Sequence, residues 1–174
     1  LEDINAHLED RVVLRTKELS DANSKLSMGL ETVAHVQNNF LPPRFKNYKG
    51  WDIAAFYRPL DSNVSGDLYD YFYTNEKLDG IGLFDVSGHG ISAGLMTILA
   101  KGIISQEFHS GTVQEEPLSA ILEKINQDYI KEKVDVENYI TGVLFRFEDF
   151  NKHDVCPVEL ANAGHPAPLF YSTK

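Results

Sequence analysis

Val64-Ser65-Gly66-Asp67-Leu68-Tyr69-Asp70-Tyr71-Phe72-Tyr73-Thr74, followed after a short polar stretch by Gly80-Ile81-Gly82-Leu83-Phe84-Asp85-Val86-Ser87-Gly88-His89-Gly90, decides the fold. In the first half Tyr69, Tyr71 and Tyr73 alternate with Leu68, Asp70 and Phe72, the two-residue period of a strand. Asn75 to Gly80 supplies turn chemistry, and the apolar run Gly80 to Val86 reads as a second strand, so the two form a hairpin. Asp67 begins one strand and Asp85 ends the other. In an antiparallel pair those ends lie side by side. Two converging carboxylates repel unless a cation or a proton sits between them. Oxygen-only ligation favours Mg²⁺ or Mn²⁺ over Zn²⁺. Glycines beside both aspartates leave bare backbone where a metal ion and a phosphate can approach.

Downstream of the pair, a helix is expected from about 91 to 109 and another from about 117 to 133, with Pro117 in a permitted first-turn position. Strands return at 139–148, 158–162 and 168–172, and a short one precedes the hairpin at 51–57. The expected class is α+β with antiparallel sheet, because hairpins outnumber crossovers.

Upstream, residues 1–41 contain no proline and one glycine, and Pro42-Pro43 ends the helix they form. Val12, Leu19, Leu26, Val33 and Phe40 recur every seven residues, with Arg15 and Gly29 interrupting the companion positions. That spacing favours a parallel dimeric coiled coil over a helix docked on its own domain. We therefore divide the chain into a signalling helix, 1–41, and a globular domain, 42–174, with Lys49-Gly50 as a turn near the boundary.

A net charge of −10 argues against nucleic acid as a partner. An acidic protein still handles phosphate when bound cations invert the local field. The single Cys156 excludes an internal disulfide and fits a reducing, cytoplasmic compartment. No run is apolar enough to cross a membrane, so any membrane attachment would come from regions before Leu1. Starting on Leu in mid-pattern, the sequence reads as a piece of a longer chain.

His89 stands either as a proton shuttle or as a surface residue. Asp70 stands either as a group orienting the site or as a solvated strand residue. Ala161-Asn162-Ala163-Gly164-His165-Pro166 ends a strand in small and turn-forming residues, with His165 either a turn histidine or part of the site.

Three motifs in order, Val64–Asp70, Asp85–Ala93 and Asn162–Pro166, resemble the SpoIIE/RsbU-type branch of the metal-dependent, protein phosphatase 2C-like serine/threonine phosphatases. Phe40-Leu41-Pro42 is similar to the segment that opens the family's domain. Ser65 stands where the family usually has a second glycine. The resemblance implies an α-β-β-α sandwich around two Mn²⁺ or Mg²⁺ ions, preceded here by the long helix. It implies metal ligation by Asp85, Asp67 and the Val86 carbonyl. Asp70, Gly88, Gly90, Asn162 and His165 would lie behind the ligands or against substrate, with a lesser catalytic part for His89. Water would then displace a phosphoserine or phosphothreonine side chain in line. The implied substrate is a bacterial regulatory phosphoprotein of the anti-sigma-factor antagonist type. The long helix would transmit a sensor's signal within a homodimer. The family carries further metal-binding aspartates beyond the position of Lys174, so an incomplete sandwich and a partial ligand set are expected. A non-catalytic signalling module with a phosphatase-like domain is the alternative.

Overall fold

In a computed structural model, residues 2–48, 50–59, 64–75, 77–149 and 156–171 are described. Helix α1 (Glu2–Phe40) leads into a small hairpin, β1 (Phe45–Tyr48) and β2 (Trp51–Ala54). Then come β3 (Asp67–Thr74), β4 (Lys77–Val86), α2 (Gly90–Val113), α3 (Leu118–Glu132), β5 (Ile140–Phe147) and β6 (Val158–Ala163). Strands β3, β4, β5 and β6 form one antiparallel sheet in that order.

The alternation in β3 and β4 splits their side chains between two cores. Leu68, Phe72, Phe84 and Val86 face α2 and α3, packing with Ile104, Phe108, Ile121 and Ile125. Phe72 stacks on Phe108 with ring centroids 4.0 Å apart. On the other face Tyr71, Val143, Phe145 and Phe147 pack with Tyr48, Trp51 and Ile53 of the β1–β2 hairpin. The result is helix, four-stranded sheet and two-stranded sheet in layers, the α+β arrangement expected. A helix layer outside the small hairpin is absent among the described residues.

Three elements depart from the expectation. The strand at 51–57 ends at Ala54; Phe56 and Arg58 turn outward, and Pro59 offers no N–H to a ladder. Its partner β1 was missed, since four residues ending at Lys49-Gly50 read only as the run into a turn; Gly50 has φ +86, while Lys49 lies outside the described residues. Residues 168–171 form no strand, and Leu169, Phe170 and Tyr171 are exposed. Pro166 and Pro168 remove two ladder donors there. Ser172 lies outside the described residues.

Helix α1 divides lengthwise. From Asp3 to Met28 every residue is exposed. From Leu30 onward the helix docks on its own domain through Leu30, Val33 and Ala34, which meet Val64 and Ile91. Val33, a member of the seven-residue seam, is thus buried inside the chain's own fold. The spacing 30, 33, 34, 37 is the helical 3.6 period of a docked face, and it replaces the heptad there. Gly94 of α2 makes the approach possible. A Cβ at that position would lie 2.3 Å from Val64 Cγ1 and 2.8 Å from Val33 Cγ1.

Candidate active site

Asp67 and Asp85 are direct register partners at the end of the β3–β4 pair. Opposed residues on one face of an antiparallel pair hold their Cβ atoms about 5 Å apart, so the carboxylates share one small region. They lie on the face away from α2 and α3, and both are exposed. Burial of the carboxyl and the neighbouring Asp67 charge push Asp85 above its ordinary value, and His165 offsets part of that. The pair is therefore electrostatically unsatisfied, as converging carboxylates must be without a cation.

The backbone around the pair is fixed from several sides. Val86 N–H donates to the Gly66 carbonyl at 3.0 Å, extending the ladder one step beyond the aspartates. A Cβ on Gly66 would sit 2.2 Å from the Val86 carbonyl oxygen, so only glycine fits beside that oxygen. Ser65, the departure from the family's glycine pair, accepts from the Asp67 N–H through its Oγ at 3.1 Å, and its hydroxyl lies 3.3 Å from Asp67 Oδ2. The serine holds the aspartate from behind.

Gln37 was not singled out from the sequence. It is 3% exposed, and its amide grips the backbone of Ser65 in both directions: Nε2 donates to the Ser65 carbonyl at 2.6 Å, and Ser65 N–H donates to Oε1 at 3.0 Å. Thr97 of α2 places its hydroxyl 3.2 Å from the carbonyls of both Ser65 and Gly66, and 2.8 Å from that of Ala93. Two helices thus hold the turn that aims Asp67. The available signal was a glutamine in the apolar stripe 30, 33, 34, 37.

The other expected residues take distinct places. Asp70 lies on the opposite face of β3 from Asp67, buried, 2.5 Å from Lys101 Nζ and 3.2 Å from Ser105 Oγ. It is neither solvated nor beside the carboxylate pair; it ties β3 to α2. Gly88 and Gly90 have φ +100 and +71, and His89 between them is the exposed N-cap residue of α2 with no side-chain capping bond. Asn138 donates to the Ser87 carbonyl, and Tyr139 N–H donates to Ser87 Oγ at 2.9 Å, holding that turn to the start of β5. Asn162 clamps its own turn: Oδ1 accepts from the His165 N–H at 2.8 Å, and Nδ2 donates to the His165 carbonyl at 3.0 Å. This directs His165 toward Thr141, with Nδ1 3.2 Å from Oγ1; Thr141 is the β5 register partner of Asp85. His165 therefore joins the site, and Asn162 acts through it.

Two adjacent carboxylates and a backbone carbonyl are hard oxygen donors, a chemistry suited to Mg²⁺ or Mn²⁺. Among the described residues no three His, Cys, Asp or Glu side chains converge as a metal site. The donors fit one side of a hard-cation site.

The family model described as Stage II sporulation protein E (SpoIIE) matches residues 79–174, more than half of the sequence. The chain belongs to the SpoIIE family. Among its relatives, Phosphoserine phosphatase RsbP of Bacillus subtilis (strain 168) is 26% identical over 141 residues, covering 81% of this chain and 33% of that protein. Protein IcfG of Synechocystis sp. (strain ATCC 27184 / PCC 6803 / Kazusa) is 32% identical over 91 residues, 52% of this chain and 14% of that protein. The chain thus spans a third or less of these relatives' length. The solved SiaA-PP2C domain of Pseudomonas aeruginosa superimposes with a TM-score of 0.53 at 24% identity, over 72% of this chain and 50% of that one. The two share a fold. Asp85, His89, Asn162 and His165 lie within the residues the family model matches, and Asp67 lies before them.

Proposed function

We propose that this SpoIIE-family chain is the core of a metal-dependent phosphoprotein phosphatase that acts on phosphoserine or phosphothreonine. The observation that carries the reading is the opposition of Asp67 and Asp85 at one sheet end, where partial burial and the Asp67 charge raise Asp85 above its ordinary value. The relative named a phosphoserine phosphatase supports the substrate class. Asp67, Asp85 and the Val86 carbonyl would hold Mn²⁺ or Mg²⁺. Such an ion supplies Lewis-acid stabilisation of phosphoryl charge and activates water at neutral pH.

The protein's own groups supply the rest. Ser65 and Gly66 fix the direction of Asp67, and Gly66 leaves the Val86 oxygen uncovered by a side chain. Asn162 and Thr141 fix the ring of His165 at the rim. A bacterial regulatory protein of the anti-sigma-factor antagonist type is the proposed substrate, and the cytoplasm the proposed compartment; among the described residues no helix is long and apolar enough to cross a membrane. Signal input is assigned to α1, because Gln37 on that helix holds the residue two before Asp67. A shift of α1 changes the ligand geometry directly.

Phosphate release from a phosphorylated regulatory domain in Mn²⁺ tests the reading. Asp85→Asn is expected to lower the rate at least a hundredfold, an effect on the order of 3 kcal/mol. An unchanged rate in that variant would overturn the reading, and no release by either chain would favour the non-catalytic module.

A further inference from the structure

Asp67, the register partner of Asp85, lines a cleft of about 470 Å³ together with Tyr57, Arg58, Tyr69, Leu83 and His165. A phosphomonoester entering it meets the negative charge of Asp67 and Asp85. Among the described residues that line the cleft, Arg58 is the one lysine or arginine. Arg58 is exposed, and its guanidinium makes no hydrogen bond or ion pair with the described residues.

The backbone that carries Arg58 is nevertheless anchored. Ala55 N–H donates to the Arg44 carbonyl at 2.8 Å, and Arg44 Nη2 donates to the Tyr57 carbonyl at 3.3 Å. Tyr57, 8% exposed, packs its ring 6.1 Å from that of Tyr69. A guanidinium on an anchored backbone, without a partner among the described residues and lining the same cleft as Asp67, is suited to a phosphoryl group. Its planar fork matches two phosphate oxygens at once, a geometry an ammonium cannot reproduce.

We propose that Arg58 is the phosphoryl-binding residue of this cleft, orienting the phosphomonoester against the Asp67–Asp85 end. The proposal deepens the phosphatase reading and rests on it for the identity of the ligand as a substrate. Arg58 is none of the proposed cation ligands, Asp67, Asp85 and the Val86 carbonyl, and makes no hydrogen bond to them, so removing the arginine leaves those ligands in place.

The test compares the wild-type chain with Arg58→Gln and Arg58→Lys in Mn²⁺. Affinity for inorganic phosphate is measured by calorimetry, KM and kcat with p-nitrophenyl phosphate, and the Mn²⁺-induced rise in melting temperature by thermal denaturation. In Arg58→Gln, phosphate affinity is expected to fall, and KM to rise, about tenfold or more, with the Mn²⁺-induced rise preserved. Arg58→Lys is expected to lose less, keeping the charge without the fork. Equal phosphate affinity in wild type and Arg58→Gln overturns the assignment, as does a wild-type chain that binds no phosphate. Loss of the Mn²⁺ effect in Arg58→Gln also overturns it, because the arginine would then act through the carboxylates. If phosphate binding depends on Arg58 while the wild type hydrolyses nothing, the anion site stands and the phosphatase reading falls.

Discussion

Asp85 carries a testable cost. Its carboxyl titrates above the ordinary 3.8 in the fold, first from burial and then from Asp67. The native state therefore holds a proton that the unfolded chain releases earlier. Stability of the metal-free protein is greatest below pH 3.8 as far as this group is concerned, and declines as pH rises through the folded value. Asp85→Asn removes that term. At pH 7 without metal the variant is expected to melt above wild type, because the neutral amide carries no charge for Asp67 to repel. A melting temperature at or below wild type contradicts it. Asp70→Asn is expected to destabilise instead: it leaves the half-buried Lys101 without its charged partner, at about 1–3 kcal/mol, with little change in Mn²⁺ affinity, because the residue faces α2. Thermal melts with and without Mn²⁺ separate the two aspartates. The sequence set Asp67 and Asp85 apart as a pair and left Asp70 either a group orienting the site or a solvated strand residue. Their strand parity divides them, with 67 and 85 on one face and 70 on the other.

At the scale of elements, the turn before Asp67 is held by α1 and α2 together. Gln37→Ala leaves the Ser65 N–H buried without its partner, at about 1–3 kcal/mol. It is expected to weaken Mn²⁺ binding, measured by calorimetry, while circular dichroism shows the helices intact. Gly94→Ala drives a methyl into Val64 and Val33 and is expected to cost about 1–3 kcal/mol in denaturant unfolding. The hairpin was legible because alternating tyrosines and a polar turn are local signals, and it carried the site with it. Gln37 was not legible. Its partner is the backbone of a residue 28 positions away, and a backbone acceptor leaves no mark in sequence. Arg58 lies outside every motif for a similar reason, since a wall residue is defined by the cleft. The strand expected at 168–172 is absent over its described residues, 168–171, where the apolar residues were weighed above Pro166 and Pro168, which cannot donate to a ladder.

Across the whole molecule, α1 joins two regimes of packing. Val12, Leu19 and Leu26 are 63%, 72% and 54% exposed, a row of large apolar side chains with nothing over it in a single chain. We propose that a second copy covers this row as a parallel coiled coil, ending where Leu30 and Val33 turn inward. Leu19→Glu is expected to shift the sedimentation mass from dimer to monomer without disturbing the globular domain; a wild-type monomer contradicts it. Such a dimer would place the seam and Gln37 on one rigid helix, about a dozen residues apart at 1.5 Å each, so a change of seam register would reach Ser65 mechanically. The central claim remains the carboxylate pair. Calorimetric titration of Mn²⁺ into the wild-type chain and into Asp85→Asn tests it most directly. Saturable binding that disappears in the variant is the predicted result. Binding of equal strength in both would contradict a shared cation at Asp67 and Asp85.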